Sequence, residues 1–245
     1  MITKQLPVGF HRFSKRAFVN YQLNRWWSLG FTRFEEIEEA GRRIRSFEDN
    51  CEVFTELADR AVRDGRLKNA AYYRRAAEFL TDPHDSRKQE LYERFSEAFY
   101  EAFAEDGIER YEVPYRGTSL SAARLAPRSE DGRIAKQPKG TVLIHGGFDS
   151  FIEEFYPFWL AFAEAGYEVV AFDGPGQGAT LHRHGLAIDH DWEKPVGAVL
   201  DYFSKDDVTL LGISFGGYWC VRAAAASSTG ASAHARRSSL RSSMS

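Results

Sequence analysis

A chain of 245 residues with 43% hydrophobic and 14% aromatic side chains can bury one large core or two modest ones, which excludes a disordered or fibrous protein. With 35 acidic against 32 basic residues the net charge is −3, so no overall field recruits nucleic acid or an anionic membrane surface. Cys51 and Cys220 are too few for a secreted disulfide scaffold, and no apolar run reaches the length of a signal peptide core or a membrane span. A cytoplasmic location is the expectation.

The first thirty-odd residues hold Phe10, Phe13, Phe18, Tyr21, Trp26, Trp27 and Phe31, a density that suits packing onto a larger body or the lining of a substrate pocket. From Phe34 to about Asp106 the pattern is helical. Phe54, Leu57, Ala58, Ala61 and Val62 recur at three- and four-residue spacing until Gly65. Leu67 to Leu80 forms a second helix, stopped by Thr81-Asp82-Pro83. Ser86 and Gln89 have capping-box spacing ahead of the stripe Leu91, Phe95, Phe99, Phe103, and Gly107 closes this region. An all-helical N-terminal domain over 1–107, with a cap-like character, is predicted.

At Ile108 the period changes to two. Tyr111 and Val113, the Gly117 turn, then Leu120, Ala122 and Leu125 predict an antiparallel hairpin, and Pro127 to Lys139 a surface loop. Three apolar runs follow: Thr141 to Ile144, Glu168 to Phe172 and Val208 to Ile213. Helical stretches such as Tyr156 to Ala165 and Trp192 to Phe203 separate them. Continuous rather than alternating apolar strands point to a mostly parallel sheet covered on both faces, an α/β domain over 108–226. Residues 227–245 contain eight Ser and three Arg with only Leu240 and Met244 large and apolar, so a disordered tail is expected there.

The chemistry concentrates in three glycine-rich stretches, each after an apolar run. Gly212-Ile213-Ser214-Phe215-Gly216 lies between a strand and a helix-compatible run, the context a G-x-S-x-G nucleophile elbow requires. The tight turn crowds Ser214, so the positions two before and two after it must lack side chains, and the Phe215 N–H at the helix start points at a developing oxyanion. His145-Gly146-Gly147-Phe148-Asp149 follows the first strand, where the second oxyanion donor of such enzymes resides, and Phe148 N–H is the candidate. His145 reads as a structural residue at the strand end. Asp173-Gly174-Pro175-Gly176-Gln177-Gly178 reads as a structural loop rather than a source of catalytic acid.

Together these stretches, in this order, resemble the α/β-hydrolase superfamily. The run Gly146 to Ser150 with Glu153-Glu154, then Phe172 to Gly178, then Asp191-Trp192-Glu193-Lys194, is similar to the 2,6-dihydroxypseudooxynicotine hydrolase group, a branch with a helical N-terminal domain. The resemblance implies a serine hydrolase acting on a ketone-flanked carbon–carbon bond, an ester or an amide of a small molecule. It also implies an assisting role for the acidic residue after the paired glycines, here Asp149, an aspartate where the longer glutamate is usual.

The superfamily orders its triad Ser, then Asp or Glu, then His. Only 31 residues follow Ser214, with no Asp or Glu and the single histidine His234, so neither the triad acid nor the triad His is identified and the sheet is expected to be incomplete at its C-terminal edge. His182, His184 and His190 precede the elbow and read as surface residues. A frameshift after Ala226 accounts most simply for the Ser/Arg/Ala composition that follows, and catalysis is expected to be impaired. The alternative is a non-catalytic binding or dimerisation protein on a truncated hydrolase scaffold. No dinucleotide fingerprint, P-loop or metal-ligand spacing is present, so no cofactor and no metal are expected; the partners expected are a small-molecule substrate and, if the helices self-associate, a second copy.

Overall fold

The structure, a computed structural model, describes residues 6–228, with side chains through residue 226. Two compact units divide it: one takes the chain up to Gly107 together with Glu153–Pro157, the other residues 108–152 and the chain from Phe158 onward.

The helical unit carries α1 (Ala17–Ser28), α2 (Phe34–Arg43), α3 (Phe47–Arg63), α4 (Leu67–Phe79) and α5 (Lys88–Ala102). Their apolar stripes converge on a core that includes Ile37, Phe54, Leu57, Tyr72, Tyr73, Phe95 and Phe99. Of the early aromatic residues, Phe13, Trp26 and Phe31 belong to this core while Phe10, Phe18 and Tyr21 stay exposed. The segment ahead of α1 is held by two buried amides. Asn20 and Asn24 each donate to the His11 carbonyl, at 3.1 and 2.9 Å, and accept from the Ser14 and His11 N–H groups. A Cβ on Gly41 would fall 2.0 Å from the Phe13 carbonyl oxygen, so this close crossing depends on glycine.

The capping box stands at a different helix from the expected one. Ser46 Oγ accepts from Asp49 N–H at 3.1 Å and the Asp49 carboxylate accepts from Ser46 N–H at 3.3 Å, at the start of α3. At α5 the turn from Asp82 to Lys88 displaces Ser86 from the cap position. Asp85 accepts from Arg87 N–H instead, and Gln89 pairs along the helix with Glu93.

The second unit is a five-stranded mixed sheet in the order β1-β2-β4-β3-β5. β1 (Glu109–Tyr115) and β2 (Thr118–Leu125) form the antiparallel hairpin, turning through Arg116 and Gly117 at φ of 49° and 79°. β2 runs antiparallel to β4 (Glu168–Phe172), while β3 (Thr141–His145) runs parallel to both β4 and β5 (Thr209–Gly212). Every residue of β3 and β4 is buried, as unbroken apolar strands require, whereas β5 is only partly covered among the described residues. The buried charge of the sheet is paired: Glu168 accepts from Arg124 at 2.6 Å and from Thr141 at 3.0 Å, and pairs with Lys205.

α6 (Tyr156–Glu164), α7 (Gly178–His184), α8 (Glu193–Tyr202) and α9 (Gly216–Ser228) complete the α-helices among the described residues. α7 is not evident in the sequence, because its first residue is a glycine at φ 35° and the preceding Gly/Pro run reads as loop. α9 extends through Ser228; the rest of the expected tail, His234 included, lies outside the described residues. Among the described residues no helix is long and apolar enough to cross a membrane.

Candidate active site

Ser214 occupies the turn between β5 and α9 with φ at 60°, a left-handed conformation that a non-glycine residue adopts only where the surroundings impose it. The turn closes through Gly216 N–H to Ile213 O and Gly217 N–H to Ser214 O, both 3.0 Å. Its crowding is measurable. A Cβ on Gly212 would lie 2.0 Å from the Gly216 carbonyl oxygen, and one on Gly216 would lie 2.6 Å from the Gly146 carbonyl oxygen. Ser214 itself is exposed.

The two glycine motifs meet at this point. A Cβ on Gly147 would sit 3.0 Å from Ser214 Cβ and 3.1 Å from Phe215 N, so only glycine lets the β3 loop approach the elbow. Among the described residues neither the Phe148 N–H nor the Phe215 N–H has a protein acceptor. Their exposed rings stack on each other at 4.3 Å and 26°, and both meet Trp219 edge-on. Asp149, next in the loop, is exposed as well.

Buried side chains hold the β3 loop. Gly147 N–H donates to Ser150 Oγ at 2.7 Å, and Gly147 O accepts from Gln177 Nε2 at 2.5 Å. Asp173 is committed to backbone: its carboxylate accepts from Ile152 N–H at 3.1 Å and Ala179 N–H at 2.9 Å, and its carbonyl accepts from Thr180 Oγ1 at 2.6 Å. These are the contacts of a structural loop. Gln177, Ser150 and Thr180 had no assigned task in the sequence, since an amide or hydroxyl beside glycines carries no spacing signal.

His145 is fully buried at the end of β3, and burial pushes its pKa down to about 4. Its Nε2 lies 3.3 Å from Cys220 Sγ, whose thiol burial raises to about 11, and its Nδ1 lies 3.4 Å from Gly146 O. A protonated thiol and a carbonyl acceptor together assign the Nδ1–H tautomer. His145 is therefore neutral and engaged at both nitrogens.

The other histidines have partners of their own. His182 packs edge-on to Phe151, His184 Nε2 meets Glu112 at 2.7 Å, and exposed His190 sits between Asp189 and Asp191. Ser121 Oγ approaches His184 at 3.4 Å, but at the same nitrogen that meets Glu112, so no Ser–His–acid relay forms there. His182 and His184 are half-buried rather than fully at the surface. No hydrogen bond among the described residues joins a histidine to Ser214.

Asp189, His190 and Asp191 bring three ligand atoms within 4.8 Å of one another, the grouping best able to hold a cation. The carboxylates already face Arg116, Lys194 and Arg222, which neutralise them. The neighbouring residues brace α9: Trp192 stacks on Trp219 at 3.8 Å and 5°, and Glu193 grips Arg222 at 2.6 and 3.1 Å.

A family model described as the alpha/beta hydrolase family matches residues 141–241. Hydrolase acrC of Aspergillus aculeatus is 37% identical over 191 residues, which cover 68% of this chain and 45% of that protein. The 20-hydroxy-prefusarin hydrolase FUS2 of Gibberella moniliformis is 32% identical over 203 residues, covering 74% and 48%. The chain thus spans just under half the length of these curated relatives. Among solved structures, that of the 2,6-dihydroxy-pseudo-oxynicotine hydrolase aligns with a TM-score of 0.62 at 25% identity, covering 82% of this chain and 60% of that one. The structure named AbyA5 wildtype has the same fold, with a TM-score of 0.66 at 20% identity over 83% and 58%.

Proposed function

Because the chain belongs to the α/β-hydrolase superfamily, in the branch of the 2,6-dihydroxypseudooxynicotine hydrolase, we propose that Ser214 is its nucleophile and that the N–H groups of Phe148 and Phe215 receive the oxyanion. The observation that carries this reading is the strained, exposed Ser214 at φ 60°, directly against Gly147, with the N–H groups of Phe148 and Phe215 in the two adjoining turns lacking a protein acceptor among the described residues. In this reading a carbonyl carbon placed over Ser214 Oγ would turn its oxygen toward these two N–H groups, and prealigned dipoles cost no reorganisation during reaction. The substrate is a small molecule with a ketone-flanked carbon–carbon bond, an ester or an amide, the classes the branch implies. Asp149, exposed in the same loop, is proposed as the assisting acid.

The reading also assigns weak turnover to a polypeptide of these 245 residues. Residues 215–245 include no Asp or Glu and only His234 as a histidine, and His145 is neutral and occupied. Without a base, a serine hydroxyl remains a poor nucleophile at neutral pH. Hydrolysis of a p-nitrophenyl ester by this polypeptide is expected to stay close to the Ser214→Ala background. Turnover above about 1 per second, in the ordinary enzyme range, that Ser214→Ala abolishes would contradict the assignment of weak turnover.

A further inference from the structure

The loop after β3 has a fixed orientation, and one buried side chain accounts for it. Gln177 is 1% exposed and bridges two backbone groups: its Nε2 donates to Gly147 O at 2.5 Å and its Oε1 accepts from Gly174 N–H at 2.9 Å. The amide cannot be turned over without setting donor against donor and acceptor against acceptor, so its orientation is unique. Its own N–H returns to Gly174 O at 3.0 Å, which locks the side chain to the turn that bears it.

The consequence lies one bond further on. Gly147 C=O and Phe148 N–H belong to the same peptide unit, and in a trans peptide they point in opposite directions. Holding the carbonyl toward Gln177 therefore turns the Phe148 N–H to the opposite side. The N–H of Gly147 is held separately by Ser150 Oγ, so both ends of this glycine are fixed while its Cα rests against Ser214. A glycine here would otherwise be free to flip the peptide, since it lacks the Cβ that limits its backbone.

We propose that Gln177 is a positioning residue for the oxyanion hole, setting the direction of the Phe148 N–H through the Gly147 carbonyl. The proposal rests on the reading of Ser214 as nucleophile and of Phe148 as donor. It assigns a task to the Asp173–Gly178 loop beyond shaping the turn.

The test compares two reactions at the same position in the full chain. Phosphonylation of Ser214 by an alkyl fluorophosphonate places an oxygen in the oxyanion hole. Alkylation of a Ser214→Cys variant by iodoacetamide is a displacement at carbon that develops no oxyanion. Gln177→Glu keeps the acceptor for Gly174 and removes the donor to Gly147, and Gln177→Met removes both.

Both variants are expected to slow phosphonylation at least about tenfold, as for a displaced oxyanion donor. Alkylation at position 214, mapped by peptide mass spectrometry, is expected to stay within about twofold in the Ser214→Cys background, the loss being confined to the oxyanion reaction. Equal phosphonylation rates in wild type and variants would overturn the Gln177 proposal and leave the nucleophile reading standing, as would parallel losses in both reactions. Absence of any Ser214 adduct in the wild type would overturn both. If neither variant folds, the wild type decides alone: phosphonylation is expected to shift the backbone amide resonances of both Phe148 and Phe215, and an unmoved Phe148 amide would overturn the proposal.

Discussion

At Gly212 there is no room for a methyl group: a Cβ would lie 2.0 Å from a backbone carbonyl oxygen, which cannot step aside as a flexible side chain can. Gly212→Ala is accordingly expected to destabilise the fold by at least about 2 kcal/mol, read as a lowered urea midpoint. His145 gives a pH-dependent counterpart. Its folded pKa, near 4, lies below the 6.5 of an unperturbed histidine, so below pH 6.5 the unfolded chain takes up a proton that the folded chain does not. Stability is full above pH 6.5 and falls as pH drops from 6.5 toward 4, by up to about 3 kcal/mol. The carboxylates with lowered pKa, Glu168, Glu193 and Asp191 among them, lose their contribution only below about 4.5. In thermal melts between pH 7 and 5, a His145→Gln variant that folds should show a flatter profile than the wild type.

At the scale of elements, α9 is aimed by what lies behind it. The Trp192–Trp219 stack is buried, and Trp219→Ala is expected to cost about 3–5 kcal/mol in equilibrium unfolding. The Arg222 pairs with Glu193 and Asp191 are partly exposed, and Arg222→Met should cost less than about 1 kcal/mol. The elements the sequence made legible are those whose period is unambiguous. Tyr111, Val113 and Leu120 alternate as a hairpin, and the runs beginning at Thr141 and Glu168 are too continuously apolar for anything but buried strands. Ser86 and Gln89 misled because capping-box spacing says nothing about where the preceding turn delivers the chain, and Asp85 instead meets the N–H of Arg87 just ahead of α5. α7 stayed hidden because its start is a strained glycine packed on Asp173, a tertiary cause with no local signature. At the site, Gly212, Gly147 and the serine between strand and helix were legible, since crowding fixes them; Gln177 was not, because its two bonds join segments thirty and three residues away.

The molecule as a whole consists of two units, each with its own core and its own way of burying charge. In the helical unit, Glu154 is fully buried and accepts from Arg25 at 2.8 Å and Arg75 at 3.0 Å, and Arg75 also pairs with Glu78. A buried charge is tolerated only while its partners stay charged. Glu154→Gln should therefore destabilise the helical unit by about 3–5 kcal/mol, seen as an early transition in calorimetry. The family resemblance covers both units in the solved relative, while the region matched by the family model lies in the second apart from Glu153–Pro157. The central proposal for these 245 residues is that Ser214 is a nucleophile with no base identified beside it among the described residues. Incubation with an alkyl fluorophosphonate, followed over hours by intact mass and mapped by peptide mass spectrometry, tests that claim most directly. A single adduct on Ser214 that forms slowly and is lost in Ser214→Ala is the predicted result; rapid stoichiometric labelling, or an adduct on any other residue, would contradict it.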